Sequence, residues 1–145
     1  MKTDIAQYFQ LMDQRLDTLW LLAGEIGQAE KALVALDFDL IAENTSRQQN
    51  LCDRLAQIDR ETRKLHPGIA FENTETQKYQ LSELRRKIQA AEEGVRRGNR
   101  RQMALWQSLR RTLQAVQSAL PTNEAGLYEP FQRSQAFVAP AMRAE

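Results

Sequence analysis

The sequence predicts an all-α protein, with three long helices in an elongated antiparallel helical bundle or coiled-coil hairpin, followed by a flexible C-terminal tail. Apolar residues recur at alternating spacings of four and three over most of residues 5–120, which places them on one stripe of an α-helix. Glycine and proline are scarce, at 6 and 4 of 145 residues, and three of the prolines lie beyond residue 120. We therefore expect one helical domain over residues 1–120 and a mobile tail over residues 121–145.

The first helix is expected over residues 4–35, with Thr3 or Asp4 as its N-cap. We call the apolar stripe of each helix its seam. Trp20 and Leu22 flank the first seam and widen the buried face, which indicates at least two neighbouring helices. The seam comprises Ile5, Phe9, Met12, Leu16, Leu19, Ala23, Ile26 and Leu33.

The second helix is expected over residues 39–65, after a break at residues 36–39. Asp37 or Asp39 can accept its first backbone N–H groups, and the sequence leaves open whether the break is a turn or a kink. Pro67, which follows His66, ends the helix because proline cannot continue it. The second seam is the weakest because three of its members are polar: Ile41, Thr45, Gln48, Leu51, Leu55, Ile58, Thr62 and Leu65.

The third helix is the longest, expected over residues 76–120, and it spans about 67 Å at its rise per residue. Asn73, Thr74 and Thr76 are candidate N-caps, and Pro121 stops the helix. Its seam comprises Leu81, Leu84, Ile88, Ala91, Val95, Gly98, Gln102, Leu105, Leu109, Thr112 or Leu113, Val116 and Leu120.

Glycine followed by asparagine is an unusual choice inside a long helix. Gly98 indicates either the close approach of a neighbouring backbone or a hinge that bends the helix. Asn99 lies one residue off the seam and can fix the register of the helices, as buried amides do in coiled coils. We therefore expect structural roles, in packing and register, for Gly98, Asn99 and Gln102.

Charge and length both bear on how the helices are arranged. Residues 1–40 carry a net charge of −4 and residues 77–120 a net charge of +7, so the first and third helices should lie side by side. The third helix is also longer than the others, and its last turns, from about Ser108, should run past them. An apolar stripe without an internal partner marks an interaction site, and here it comprises Leu109, Leu113, Val116 and Leu120.

Chemistry-bearing residues are few. The only histidine, His66, stands at a helix end, the only cysteine, Cys52, follows a seam residue, and no metal cluster or phosphate-binding loop is present. We therefore expect no enzyme activity, no metal and no cofactor. The lack of a signal peptide or a bilayer-length apolar run predicts a cytoplasmic protein without membrane insertion. A run of arginines can be a solvated face or a phosphate-binding stripe, and it comprises Arg96, Arg97, Arg100, Arg101, Arg110 and Arg111.

Two short segments carry a resemblance to a known family. One is Asn99-Arg-Arg-Gln102-Met-Ala-Leu105-Trp106, and the other is Leu127-Tyr128-Glu129-Pro130. With the three-helix layout, they resemble the FlgN family of flagellar type III export chaperones. That family often has two asparagines three residues apart before two large apolar residues, and here Gln102 stands in place of the second asparagine.

The resemblance implies a cytosolic chaperone that binds the C-terminal amphipathic helices of hook-associated junction proteins of the FlgK/FlgL type and brings them to the cytoplasmic domain of the export gate FlhA. Leu127 and Tyr128 would dock on the gate. The client would lie along Leu105, Trp106, Leu109, Leu113, Val116 and Leu120. From the residues alone, Trp106 is as well explained by the core as by a binding anchor. The alternatives are a coiled-coil adaptor that associates with its own copy, as a homodimer, and a basic helical nucleic-acid binder.

Overall fold

The computed structural model describes residues 2–65 and 74–120, with side chains from Ile5 onward. These ranges contain three helices and no strand: α1 (Lys2–Ala35), α2 (Phe38–Leu65) and α3 (Glu75–Ala119). The predicted all-α architecture is confirmed, and every helix boundary lies within two residues of its expected position. His66, the expected tail over residues 121–145, and the gate-docking pair Leu127 and Tyr128 lie outside the described residues.

A tight turn, not a kink, separates α1 from α2. The N–H of Leu36 donates to the carbonyl of Leu33, and the N–H of Asp37 donates to the carbonyl of Ala32, the pattern of a Schellman motif. Leu36 has a φ of 54°, a left-handed conformation in which glycine is the usual residue. Asp37 Oδ1 then accepts the N–H of Leu40 at 3.1 Å, so Asp37 is the residue that caps α2.

The caps of α3 are equally definite. Thr74 has an extended backbone, and its side chain accepts the N–H of Gln77 at 3.2 Å, which makes it the N-cap among the three candidates. At the other end, the N–H of Leu120 donates to the carbonyl of Gln117. The backbone of Leu120 itself is extended, so the helix ends before Pro121. The sequence therefore sets both ends of the longest helix locally.

Helix α1 is the centre of the fold. It packs along both α2 and α3, while α2 and α3 make few backbone contacts with each other. Ion pairs join Arg15 to Glu92 and Arg101 to Glu30, so α1 and α3 run in the same direction. The hydrogen bond from Asn44 to Glu25 and the pair of Arg15 with Asp59 show that α2 is antiparallel to both.

Two adjoining stripes of α1 are buried because α1 has two neighbours. The predicted seam is one of them, and Leu22 is buried beside it as expected. Trp20 was also expected to widen the buried face, and this prediction is wrong: its side chain is 58% exposed and points to solvent with Leu21. The second stripe is supplied by Tyr8, Leu11, Thr18, Leu22, Ala29 and Ala32.

The buried residues form two clusters. The main core joins the middle of α1 to α3 through Leu16, Leu19 and Ile26 on one side and Ile88 and Val95 on the other, with their neighbours. A smaller cluster, the turn-end core, lies where α1 and α2 meet and comprises Ala32, Leu33, Ile41 and Trp106. The turn-end core holds α3 at the level where α1 ends and α2 begins.

Apolar packing, rather than charge, holds α1 against α3. The two helices are neighbours, as their opposite net charges predicted. Of the bases on α3, however, only Arg101 pairs with an acid of α1 in the described residues, through Glu30 at 3.1 Å. The other ion pair between them has the opposite polarity, since Arg15 of α1 reaches Glu92 of α3. Such partly exposed pairs are each worth only about 0.2–1 kcal/mol.

Candidate functional site

The C-terminal end of α3 continues beyond the turn-end core. We call residues 110–120 the projecting end. Within residues 110–119 every residue but Leu113 is exposed, and this stretch is about 15 Å long. Val116 is 44% exposed, whereas Leu113 and Leu120 are half-buried. These three residues extend the seam past the last turns of the neighbouring helices, so an apolar stripe lies without a described helix beside it.

The other three predicted client-binding residues pack in the turn-end core. Trp106 is only 6% exposed and is one of the buried members of that cluster. Leu105 and Leu109 are half-buried and pack against it. Trp106 is therefore a core residue in the free chain, and the surface available to a partner begins after Leu109.

A buried chain of polar side chains links all three helices. Gln48 of α2 donates from Nε2 to Gln102 Oε1 on α3 at 3.1 Å and to Asn44 Oδ1 at 2.6 Å. Asn44 in turn donates to the carbonyl and the carboxylate of Glu25 on α1, each at 2.7 Å. Three of these residues have essentially no exposed surface: Asn44, Gln48 and Gln102. A sliding of one helix would leave buried amides unpaired, so this polar chain sets the register.

Gly98 lies where α3 meets α1 most closely. A Cβ built at this position would be 2.8 Å from Cγ2 of Ile26, a distance that real Cβ atoms do not show. The neighbour is thus a side chain of α1 and not a backbone, and α3 remains one continuous helix through Gly98. The absence of a side chain at Gly98 lets Ile26 fill the space between the helices.

Asn99, the next residue, faces a different environment. It is 6% exposed, and its side chain lines a groove between α2 and α3. Its amide makes no hydrogen bond to any described residue. Asn99 is therefore outside the polar chain that sets the register, and it presents an unused donor and acceptor to the groove.

The groove runs between α2 and α3, which both pack on α1 and make few backbone contacts with each other. Its floor is α1, and it consists of two adjoining cavities of about 540 Å³ each. Arg15, Asp59 and Glu92 line both cavities and mark the point where they meet. Apolar lining comes from Leu19, Leu22, Leu55 and Val95 in one cavity and from Tyr8, Met12 and Ile88 in the other. The sequence did not predict this groove.

Arg15 of α1 binds acidic residues on both neighbouring helices. Its guanidinium pairs with Asp59 of α2 and, at 2.9 Å, with Glu92 of α3. Burial alone lowers the pKa of Arg15, but the hydrogen bonds and charges of Glu92 and Asp59 outweigh this effect and raise it. The side chain therefore stays charged and ties α2 to α3, whose backbones make few contacts with each other.

Cys52 lies on the α2 side of the groove, where it is half-buried and packs against the main core. Burial, with a smaller contribution from the charge of Asp53, raises the pKa of this thiol. The thiolate fraction at neutral pH is therefore small, which is unlike the lowered pKa of reactive cysteines.

The arginine run lies on the outer face of α3. All six of its members are exposed, and within the described residues only Arg96 and Arg101 form ion pairs, with acids of α3 and α1 respectively. No group of three or more metal-ligating side chains occurs among the residues of the described ranges. The chemistry of the described surface is therefore that of apolar stripes, amides and charges.

Comparison of the chain with protein-family models, with curated proteins and with solved structures gives no match. Over the described ranges, no helix is apolar for long enough to cross a bilayer. The projecting end is the described surface from which we infer a function.

Proposed function

We propose that this chain is a non-catalytic export chaperone of the flagellar type. It would act in the cytoplasm, hold the amphipathic C-terminal helix of a hook-associated protein of the FlgK/FlgL type, and deliver it to the export gate. The observation that supports this proposal is the apolar stripe of Leu113, Val116 and Leu120 on the projecting end, which no described helix covers. The resemblance of residues 99–106 to the FlgN family supplies the client class.

The spacing of this stripe favours the binding of another helix along it. An amphipathic client helix buries its own apolar residues at spacings of three and four against a matching stripe, as in other helix-in-groove complexes. The stripe begins beside Leu109, which is half-buried on the turn-end core, so a client helix would rest against both α3 and the end of the bundle. A client segment that orders only on binding gives moderate affinity despite a large interface.

Delivery to the gate rests on the resemblance alone. Leu127 and Tyr128 follow the projecting end by fewer than ten residues in the sequence. On this proposal, the gate contacts follow the client contacts along the chain. Replacing Tyr128 by alanine should weaken association with the FlhA cytoplasmic domain and leave client binding unchanged.

The test of client binding compares two double variants of the projecting end. In Leu113→Asp with Val116→Asp, two charges enter the apolar stripe beyond the turn-end core. In the matched control, Gln114→Asp with Ala115→Asp, the same charges enter the same turns at exposed positions off the stripe. The readout is co-purification of FlgK- and FlgL-type proteins from a flagellated host, with helicity checked by circular dichroism.

We expect the wild type and the control to recover the client and the stripe variant to lose it at unchanged helicity. Recovery by all three proteins would contradict the proposed surface, and recovery by none would contradict the flagellar assignment. Self-association through the same stripe is the second candidate. It predicts that the fraction of dimer, measured by sedimentation, rises with the concentration of the wild type. Of the two double variants, only the stripe variant should abolish this dimer.

A further inference from the structure

The side of α1 that faces away from α2 and α3 has an apolar centre. Surface helices normally carry charged and polar residues on the side opposite the core. Here no exposed residue between Asp17 and Lys31 is charged, while Trp20 is 58% and Leu21 is 55% exposed. We call this stretch the outer face of α1, and its exposed residues are Asp17, Trp20, Leu21, Gly24, Gln28 and Lys31.

The two charges at the ends of the outer face are opposite in sign and have no partner among the described residues. Asp17 and Lys31 are exposed and form no ion pair there, and the same holds for Asp13, one turn earlier. By contrast, Glu25 and Glu30, at the edges of α1 that face its neighbours, are paired with arginines of α2 and α3. The free charges over residues 5–35 of α1 therefore lie on the outer face, acidic toward its beginning and basic toward its end.

The outer face is symmetrical about Gly24. Asp17 lies seven residues before Gly24 and Lys31 lies seven residues after it, about 10.5 Å along the helix in each direction. If a second copy of α1 lies antiparallel on this face, with Gly24 at the twofold axis, Asp17 of each copy is opposite Lys31 of the other. A parallel copy would instead bring each charge opposite its own kind, which is repulsive. Charge complementarity therefore favours an antiparallel second copy.

The centre of the outer face fits the same arrangement. Trp20 lies four residues before Gly24 and Gln28 lies four residues after it, so each indole ring would lie beside Gln28 of the other copy. Gly24 has no side chain, and a Cβ built there would meet no atom within 4 Å, so a second helix can approach closely at this point. Tryptophan in the middle of an interface is a typical hot spot.

We propose that the outer face of α1 binds the outer face of a second copy of this chain, antiparallel and with Gly24 on the twofold axis. The paired stretch is one helix pair about 21 Å long, which is a small interface, so the dimer should be weak and transient. Because α3 runs in the same direction as α1, the two projecting ends would point in opposite directions and stay uncovered. The inference does not depend on the flagellar assignment.

Sedimentation equilibrium of the full-length protein and its variants measures the Kd of this dimer. Trp20→Ala removes the central indole ring, and Tyr79→Ala removes an exposed aromatic ring from α3 as the matched control. We expect Trp20→Ala to raise the Kd at least about thirtyfold, as at other hot spots, and Tyr79→Ala to leave it unchanged. All substituted positions are exposed, and circular dichroism checks that helicity is retained.

Two charge variants provide a result that a loss of folding cannot imitate. Asp17→Lys and Lys31→Asp each place like charges opposite one another at both ends of the interface, and each should raise the Kd about tenfold. In a dimer that contains one copy of each variant, both contacts again join opposite charges. We therefore expect an equimolar mixture of the two to dimerise about as tightly as the wild type.

Disulfide formation determines the orientation of the two copies. In a Cys52→Ser background, Gly24→Cys would place two thiols at the twofold axis, within the Cα separation of about 7 Å that a disulfide needs. Gln10→Cys would place them on the same exposed side of α1 but about 42 Å apart in the antiparallel pair, whereas a parallel pair would bring them together. We expect rapid cross-linking of Gly24→Cys only.

Four results would overturn the proposal. The first is a wild type that stays monomeric up to millimolar concentration. In that case quenching of Trp20 by acrylamide, measured with Trp106→Phe, assigns the outer face to the chain's own segment 121–145 if Trp20 is shielded and to a different protein if it is accessible. The second is a dimer that Trp20→Ala and the charge variants leave unchanged.

The other two results concern the location and the orientation of the dimer. The third is a dimer that is lost in the Leu113→Asp, Val116→Asp protein and kept in Asp17→Lys, which assigns self-association to the projecting end. The fourth is cross-linking of Gln10→Cys as fast as that of Gly24→Cys, which assigns a parallel arrangement.

Discussion

Gly94 and Gly98 stand one turn apart in α3 and differ in what surrounds them. A Cβ at Gly98 would lie 2.8 Å from Cγ2 and 3.6 Å from Cβ of Ile26, whereas a Cβ at Gly94 would meet no described atom within 4 Å. The substitutions Gly94→Ala and Gly98→Ala therefore add the same methyl group to the same helix, and only the second adds a clash.

The free energies follow from that difference. Alanine is favoured over glycine inside a helix by about 0.8–1 kcal/mol, so Gly94→Ala should stabilise the fold by about this amount. At Gly98 the same gain is offset by overpacking, which costs typically about 1–3 kcal/mol. Ile26 is 1% exposed, and its β-branched side chain is restricted at χ1, so it has little room to move aside. We expect Gly98→Ala to destabilise the protein by about 1 kcal/mol, the balance of these two effects.

Urea unfolding followed by circular dichroism measures both changes, provided that the m-values stay equal. A third protein locates the clash: Ile26→Leu moves the branch away from Cβ, so adding Gly98→Ala to it should cost less than adding Gly98→Ala to the wild type. Equal stabilisation by Gly94→Ala and Gly98→Ala would refute the close contact between α3 and Ile26, and with it the packing of α1 against α3 at this level.

Three further predictions concern the polar chain, the turn and the groove thiol. Gln102→Leu should lower the free energy of unfolding by about 1–3 kcal/mol because Gln48 loses a buried acceptor, and a double-mutant cycle with Gln48→Leu should show that the two losses are not additive. Purely additive losses would mean that the two amides do not interact. Leu36→Gly should raise the free energy of unfolding by about 0.5–1 kcal/mol. Glycine adopts the left-handed conformation without strain, and this gain exceeds the cost of the greater freedom of glycine in the unfolded chain. A melting temperature below that of the wild type would contradict this prediction. Because the pKa of Cys52 is raised, less thiolate is present at any given pH, so the native protein's alkylation rate should titrate at higher pH than that of the urea-unfolded chain. A native midpoint at or below the unfolded one would contradict this cause.

Local signals in the sequence were sufficient to predict the helices. Spacings of four and three gave three helices, and short polar residues before them gave the caps. The choice among candidates depended on backbone geometry: Asp37 caps α2 because Leu36 turns the chain in a left-handed step, and Thr74 caps α3 because its backbone is extended. Propensity alone names several capping residues, and the turn selects one of them.

The arrangement of the helices was harder to predict, because a seam shows that a helix has partners without showing where they lie. Trp20 and Leu22 both flank the first seam, yet only Leu22 is buried, since the two neighbours of α1 lie on that side. The groove could not be predicted because it depends on how far apart the backbones of α2 and α3 lie, which the seam of neither helix indicates. Gln48 and Gln102, polar residues on the seams of two helices, were the one available sign of the buried polar chain.

The pairing of Gln48 with Gln102 also determines how far α3 reaches. Sliding α3 by one heptad would shift it by about 10 Å, a large part of the roughly 15 Å that extends beyond the turn-end core. Either slide would bring an apolar residue, Val95 or Leu109, opposite Gln48 and leave a buried amide unpaired. The buried amides in the middle of the bundle thus determine how far the tip of α3 extends. Inserting a heptad after Leu109 would lengthen that tip, and deleting residues 110–116 would shorten it, while the rest of the bundle keeps its alignment.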